Sequence, residues 1–203
     1  AMANLWSFLK YHNIDWLRQQ LMQIKCIEND SVLLHGAAWW KEGKGYLAVG
    51  FPNSGKTSMV LREMQKGADF CADENVIINK DRMMFPVKRR TSLNPWIVKE
   101  INYPLTDIEK IRFIIAKAKS KVMPIFEPNI NVDLPYKRKS FKLDKIIYLT
   151  KGRQQSLALL TDNEFPFFTN PVIQSYCFVT GFDLDKVYLK YRRLLRDLSI
   201  DTK

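Results

Sequence analysis

GFPNSGKTS, residues 50–58, decides how this chain is read. Gly50, Gly55, Lys56 and Thr57 fall on the G-x-x-x-x-G-K-[ST] spacing of a phosphate-binding loop, the Walker A pattern. Successive backbone N–H groups and a helix N-terminus hold phosphate oxygens in such a loop. Gly55 allows a close backbone approach. Lys56 is placed to reach the β- and γ-phosphates, and the Thr57 hydroxyl to bind Mg²⁺. Asn53 stands where many such loops carry another glycine, and asparagine tolerates left-handed backbone. The expected nucleotide contacts are therefore Gly50, Asn53, Ser54, Gly55, Lys56, Thr57 and Ser58. The competing reading is an ordinary turn that ends in Lys-Thr. The flanks favour the first: residues 46–49 read as a short apolar strand, and 57–66 as a helix closed by Gly67 at its C′ position.

Outward from the loop, residues 15–25 place Trp16, Leu17, Leu21 and Ile24 at helical spacing. Residues 31–40, SVLLHGAAWW, read as a strand, and 41–45 as a turn. Strand candidates follow at 68–78 and 83–87. Thr106-Asp107-Ile108-Glu109 is a capping box, and the helix it opens carries Ile108, Ile111, Ile114, Ile115 and Ala118. Residues 124–135 read as a proline-punctuated loop with a short extended piece. KIIYLT (145–150) and SLALLT (156–161) read as strands joined around Gly152. A helix begins near Asn170-Pro171, and a basic helix covers 183–198. Strands mixed with helices predict an α/β fold: an N-terminal helical segment, 1–28, and one domain, 29–203.

Composition narrows the function classes. With 46% hydrophobic and 26% charged residues the chain is globular. No apolar run approaches the roughly 20 residues of a membrane span. Residues 1–3 lack the charged and apolar regions of a signal peptide. Cys26, Cys71 and Cys177 lie far apart with no CxxC spacing, and His12 and His35 are the only histidines, which argues against a zinc site or a thiol enzyme. The expected location is cytoplasmic, without a membrane partner. The formal charge of +11, from 32 basic and 21 acidic residues, implies an anionic partner: nucleotide, nucleic acid, acidic peptide or lipid.

Beyond the loop, Asp73 and Glu74 follow an apolar-flanked Cys71. A carboxylate pair at a strand end can hold Mg²⁺ and take a proton from an acceptor hydroxyl. Adjacent strand residues face opposite ways, so the two acids can have different roles. A solvated turn is the plainer alternative. His35 ends an apolar run and can polarise a hydroxyl or orient a carboxylate, or serve structure alone.

LLHGAAW, GKGYLAVGFPNSGKTS and KGADFCADENVII, taken together, resemble the catalytic domain of HPr kinase/phosphorylase, within the phosphoenolpyruvate carboxykinase-like group of P-loop proteins. The resemblance is specific over residues 31–78 and looser to the C-terminus. It implies a P-loop domain with a mixed central sheet and flanking helices, acting as an ATP- or GTP-dependent kinase with Mg²⁺. It places Lys56 and Thr57 on phosphates and metal, Asp73 on metal, Asp73 and Glu74 on acceptor activation, and His35 on an active-site histidine. This chain departs from the family in Glu74, where the family has Asp, and in Phe51-Pro52-Asn53. It also has no match to the family's Arg-Pro-Gly-Arg-Asn signature, and the family's separate N-terminal domain is not expected. A compact relative with another acceptor is expected: protein or peptide serine, small metabolite or RNA. Lys88-Arg89-Arg90 are the candidate acceptor-binding residues. Lys137-Arg138-Lys139 and Arg192-Arg193-Arg196 are further basic clusters. The first two clusters have aromatic neighbours, as single-stranded nucleic acid recognition requires. The alternative function is a binding module whose grip on nucleic acid or protein is switched by nucleotide. Oligomeric state is left open.

Overall fold

The computed structural model describes residues 14–51, 53–88, 90–122, 129–137 and 139–150, and residues 189, 190, 193, 194 and 196. For 14–20 and 122 it describes the backbone alone. The expected strand at 156–161, the helix from Asn170-Pro171, and Arg89, Arg138 and Arg192 lie outside the described residues, as does most of the expected terminal helix. Leu189, Lys190, Arg193, Leu194 and Arg196 are helical.

Helix α1, Ile14–Glu28, leads through a turn into strand β1, Ser31–Lys41, and strand β2, Lys44–Gly50. Glu42 and Gly43 both take positive φ, 51° and 82°. Two such residues make the tight hairpin turn that suits the right-handed twist of paired strands. The turn is thus shorter than the expected 41–45, because Lys41 pairs with Lys44 and Trp40 with Gly45. Trp39 stacks on its cross-strand partner Tyr46, ring centroids 5.3 Å apart, a pairing that stabilises the hairpin.

Helix α2, Lys56–Gln65, follows the 50–55 loop, and Gly67 closes it with φ 86°. The stretch read as a strand at 68–78 is two strands, β3, Asp69–Ala72, and β4, Asn75–Asn79. Both pair antiparallel with β1, β4 along its first half and β3 along its second. The Gly36 N–H donates to the Glu74 carbonyl at 3.0 Å and carries the pairing across the break. Strands β5, Met83–Pro86, and β8, Phe141–Lys142, extend the sheet beyond β4, and β9, Lys145–Leu149, lies parallel to β2 on the other side. The sheet is mixed, in the order β8-β5-β4-β1-β2-β9 with β3 on β1. A separate antiparallel pair joins β6, Thr91–Leu93, to β7, Ile130–Val132. Helices α3, Pro95–Glu100, and α4, Asp107–Val122, lie between these two strands in sequence.

The period-two alternation of β1 sorts its side chains to two cores. Val32 and Leu34 join Leu47, Val49, Val76, Ile78 and Met84 on one face, with Ile27 of α1. Ala37 and Trp39 join Val60 and Leu61 of α2, Phe70, Leu93 and Ile97 on the other. An α/β domain with helices on both faces of a mixed sheet is the result. Where β1 runs ahead of β2, the Leu33 N–H donates to Gln23 Oε1 of α1 at 3.2 Å.

The capping box at Thr106 forms as expected. The Thr106 N–H donates to Glu109 Oε2 at 2.8 Å and the Glu109 N–H to Thr106 Oγ1 at 3.3 Å. The isoleucine stripe of that helix does not reach a core, for Ile108, Ile111 and Ile114 are 65, 58 and 68% exposed. Phe113 and Ala116 pack inward instead. No described helix is long and apolar enough to cross a membrane.

Gly45 marks the closest approach in the sheet. A Cβ there would lie 2.0 Å from the Lys142 carbonyl oxygen and 2.7 Å from the Phe141 ring. The obstacle is backbone, which cannot swing aside. Gly45→Ala is expected to destabilise the domain by about 2–4 kcal/mol, an overpacking cost, read as a shift in the urea midpoint at unchanged slope. A midpoint equal to that of the unaltered protein would show that β8 is not held against the hairpin.

Candidate functional site

Strands β2 and β3 both run antiparallel to β1, on its two opposite edges. They are therefore parallel to each other, and their C-terminal ends emerge at the same end of the sheet. The 50–55 loop leaves one of these ends, and Asp73-Glu74 leaves the other. His35 lies on β1 between them, paired with Asn75. One cleft is lined by His35, Lys56, Thr57, Ser58, Asp73 and Glu74, together with Asn53 and Gly55. The topology thus gathers three separate stretches of sequence.

The loop is shaped by left-handed backbone. Asn53 has φ 60° and Gly55 φ 95°, ψ 13°. Gly55 is the N-cap of α2 and supplies no side-chain hydrogen bond. The first-turn N–H groups, which have no intrahelical partner, consequently meet no side-chain oxygen from the cap. Such a terminus attracts anions. The hydroxyls of Ser54 and Ser58 are buried without a hydrogen-bond partner among the described residues. Buried polar atoms are rarely left so, and an oxyanion in the cleft would satisfy Ser58, which lines it.

Lys56 folds back across the loop. Its Nζ donates to the carbonyls of Gly50 and Phe51, each at 2.9 Å. The side chain is buried. Burial lowers its pKa, while the charges of Asp73 and Glu74 act in the opposite direction. Beside it the Thr57 hydroxyl donates to Asp73 Oδ1 at 3.0 Å and Oδ2 at 3.2 Å, tying the first turn of α2 to the end of β3. Asp73 is 4% exposed. Burial pushes its carboxyl up to about 6. The Thr57 bond pulls it down, the Glu74 charge raises it, and Lys56 lowers it. Glu74 holds φ 80°, a left-handed conformation uncommon for a side-chain-bearing residue. It sits in the two-residue break between β3 and β4, and strain of this kind clusters at functional sites. The hard oxygen donors of Thr57 and Asp73 suit Mg²⁺, which is held through one or two carboxylates plus substrate phosphates.

Of the expected site residues, all the described loop members except Gly50 and Ser54 line the cleft, as do His35, Asp73 and Glu74. Gly50 accepts the Lys56 hydrogen bond instead. Of the expected acceptor-binding cluster, Lys88 and Arg90 are described. Lys88 Nζ lies 5.9 Å from the centre of the Tyr136 ring, and Arg90 Nε 3.4 Å from Asp133 Oδ1; neither residue lines the cleft. Lys137 pairs with Asp69 at 2.9 Å. The cleft's other wall is formed by Ser92, Asn94, Trp96, Ile97 and Asn129, which were not expected. Asn94-Pro95 is a helix-start signal, with the Asn94 side chain accepting from the Ile97 N–H at 3.1 Å. It could have located α3.

Asp73 makes stability depend on pH. Its folded pKa lies above the unfolded value, so the folded state holds the proton longer. Stability therefore falls as pH rises from about 4 through about 6, and the cost is complete above that. Asp73→Asn removes the cost. It is expected to raise stability at pH 8 by up to about 3 kcal/mol, the free energy of a shift from 3.8 to about 6. The advantage over the unaltered protein should shrink towards pH 4. A variant less stable than the unaltered protein at pH 8, measured by urea titration, would contradict the burial of this charge.

Neither the protein-family models nor the curated proteins compared with this chain match it, so the reading of the cleft rests on its own residues.

Proposed function

We propose that the protein is a kinase that transfers the γ-phosphoryl group of ATP or GTP, with Mg²⁺, to a hydroxyl acceptor. The carrying observation is the Thr57–Asp73 hydrogen bond beneath a loop crossed by the Lys56 ammonium. It supports an oxygen pair for a metal and a cation for phosphates within one cleft. The mixed sheet and the residue matches at His35, Lys56, Thr57, Asp73 and Glu74 support a domain of the HPr kinase/phosphoenolpyruvate carboxykinase-like type.

The roles follow from position. Backbone N–H groups of the loop and the uncapped start of α2 hold the phosphates. Lys56 exchanges the Gly50 and Phe51 carbonyls for β- and γ-phosphate oxygens. Thr57 and Asp73 would hold Mg²⁺, which when bound would neutralise phosphate charge. Glu74 takes the proton of the attacking hydroxyl, and His35 orients that hydroxyl or the carboxylate. The acceptor oxygen bonds to the γ-phosphorus in line as the bond to the β–γ bridging oxygen breaks, and the nucleoside diphosphate leaves. Positioning and electrostatic stabilisation provide most of the rate.

The net charge of +11 favours an anionic acceptor, and it also gives weight to a second reading, a nucleotide-switched module that binds nucleic acid. Labelled γ-phosphate offered with RNA, protein and small-metabolite fractions of the source cells separates the two. Label should enter one fraction. Lys56→Ala should lower transfer at least ~100-fold. Glu74→Gln should lower it roughly 10²–10⁴-fold, with nucleotide affinity unchanged. Label entering no fraction, with bound nucleotide changing RNA affinity, would support the module; equal transfer by Lys56→Ala would contradict the loop assignment.

A further inference from the structure

The nucleotide contacts derived so far are all to phosphate, and none selects a base. Phosphates seated on the 50–57 loop have a direction. Lys56, Thr57 and Asp73 mark the γ end, so the nucleoside must leave towards the other wall of the cleft. That wall is α3 with its flanks. Helix α3 runs beside one stripe of α2, because Arg62 pairs with Glu100 and Gln65 Nε2 donates to the Ile101 carbonyl. Ser58, Arg62 and Gln65 occupy that stripe at helical spacing. The start of α3 therefore lies level with Ser58, one residue beyond the metal-facing Thr57.

Trp96 stands there. Its side chain is 53% exposed, and it is the one exposed large apolar side chain lining the cleft among the described residues. Its backbone is held on both sides. Asn94 caps the helix, Pro95 sets the first turn, and Ile97 is buried in the same core as Val60 and Leu61. An indole on so fixed a support loses little freedom on binding a flat ring, and aromatic faces accept bases of any identity.

We propose that Trp96 is the platform on which the nucleobase of the bound triphosphate stacks. The proposal rests on the reading of the 50–57 loop as a triphosphate site, and it extends that reading to the nucleoside. Stacking on an indole is tolerant of base, so ATP and GTP bind with similar affinity at this subsite.

Calorimetric titration of the full chain with ATP and with inorganic tripolyphosphate, each with Mg²⁺, tests it. The unaltered protein should bind ATP more tightly than tripolyphosphate. Trp96→Ala should weaken ATP roughly 5- to 150-fold, the usual range for losing one base–aromatic stack, and leave tripolyphosphate unchanged. Trp96→Phe should keep most of the ATP affinity. Thermal melts of both variants monitor folding, and the exposed position predicts little change. Equal weakening of both ligands, or ATP affinity unchanged in Trp96→Ala, overturns the platform while leaving the phosphate site intact. Tripolyphosphate matching ATP on the unaltered protein does the same. Failure of the unaltered protein to bind either ligand overturns the phosphate site, and the platform with it.

Discussion

The Thr57 hydroxyl, bonded to both oxygens of Asp73, joins the first turn of α2 to the end of β3. That contact depends on the directions of three strands. Because β2 and β3 flank β1 and oppose it, the loop after one and the acids after the other meet at one end of the sheet. Reverse either strand and Lys56 and Asp73 would stand at opposite ends of the domain. The hairpin turn at Glu42-Gly43 and the break at Asp73-Glu74 are local devices that serve this arrangement.

The site is held at some cost to the fold. In the cleft a lysine and an aspartate are nearly withdrawn from solvent, and the Ser58 hydroxyl is buried without a hydrogen-bond partner among the described residues. Glu74 is kept in left-handed backbone. None of these features improves packing, and replacing buried charges with apolar groups often stabilises a protein. Their concentration in one cleft is what a ligand rich in anionic oxygen, with its cation, would relieve. Perturbed groups gathered in this way are a mark of functional sites.

Much of the fold was legible. The strand at 31–40, the turn after it and the helix end at Gly67 were readable in the sequence, and the Thr106 box announced α4. Other parts were not. Strands β6 and β7 have three residues each, too few for a period to show. Helix α3 has six residues and one fully buried side chain, so only its Asn-Pro start could have revealed it. The isoleucine spacing of α4 predicted a helix correctly, but spacing does not say which stripe meets a core, and Phe113 and Ala116 took that role. At the cleft, His35, Asn53, Gly55, Lys56, Thr57, Ser58, Asp73 and Glu74 were legible as candidates in local sequence. The α3 wall was not, because its members come together only through tertiary packing. Lys88 and Arg90, singled out as a charge run, lie beside Tyr136 and Asp133, a placement that sequence spacing could not give.

The central claim is that the 50–57 loop and Asp73 together hold a nucleoside triphosphate with its cation. A crystal structure of the chain grown with Mg²⁺ and a non-hydrolysable ATP analogue tests it most directly. The account predicts phosphates on the loop N–H groups and on the Ser58 hydroxyl. It predicts Lys56 Nζ moved from the Gly50 and Phe51 carbonyls to phosphate oxygen, and a cation beside Thr57 and Asp73. An analogue bound elsewhere, with Lys56 still on its two carbonyls and the Thr57–Asp73 bond intact, would contradict it.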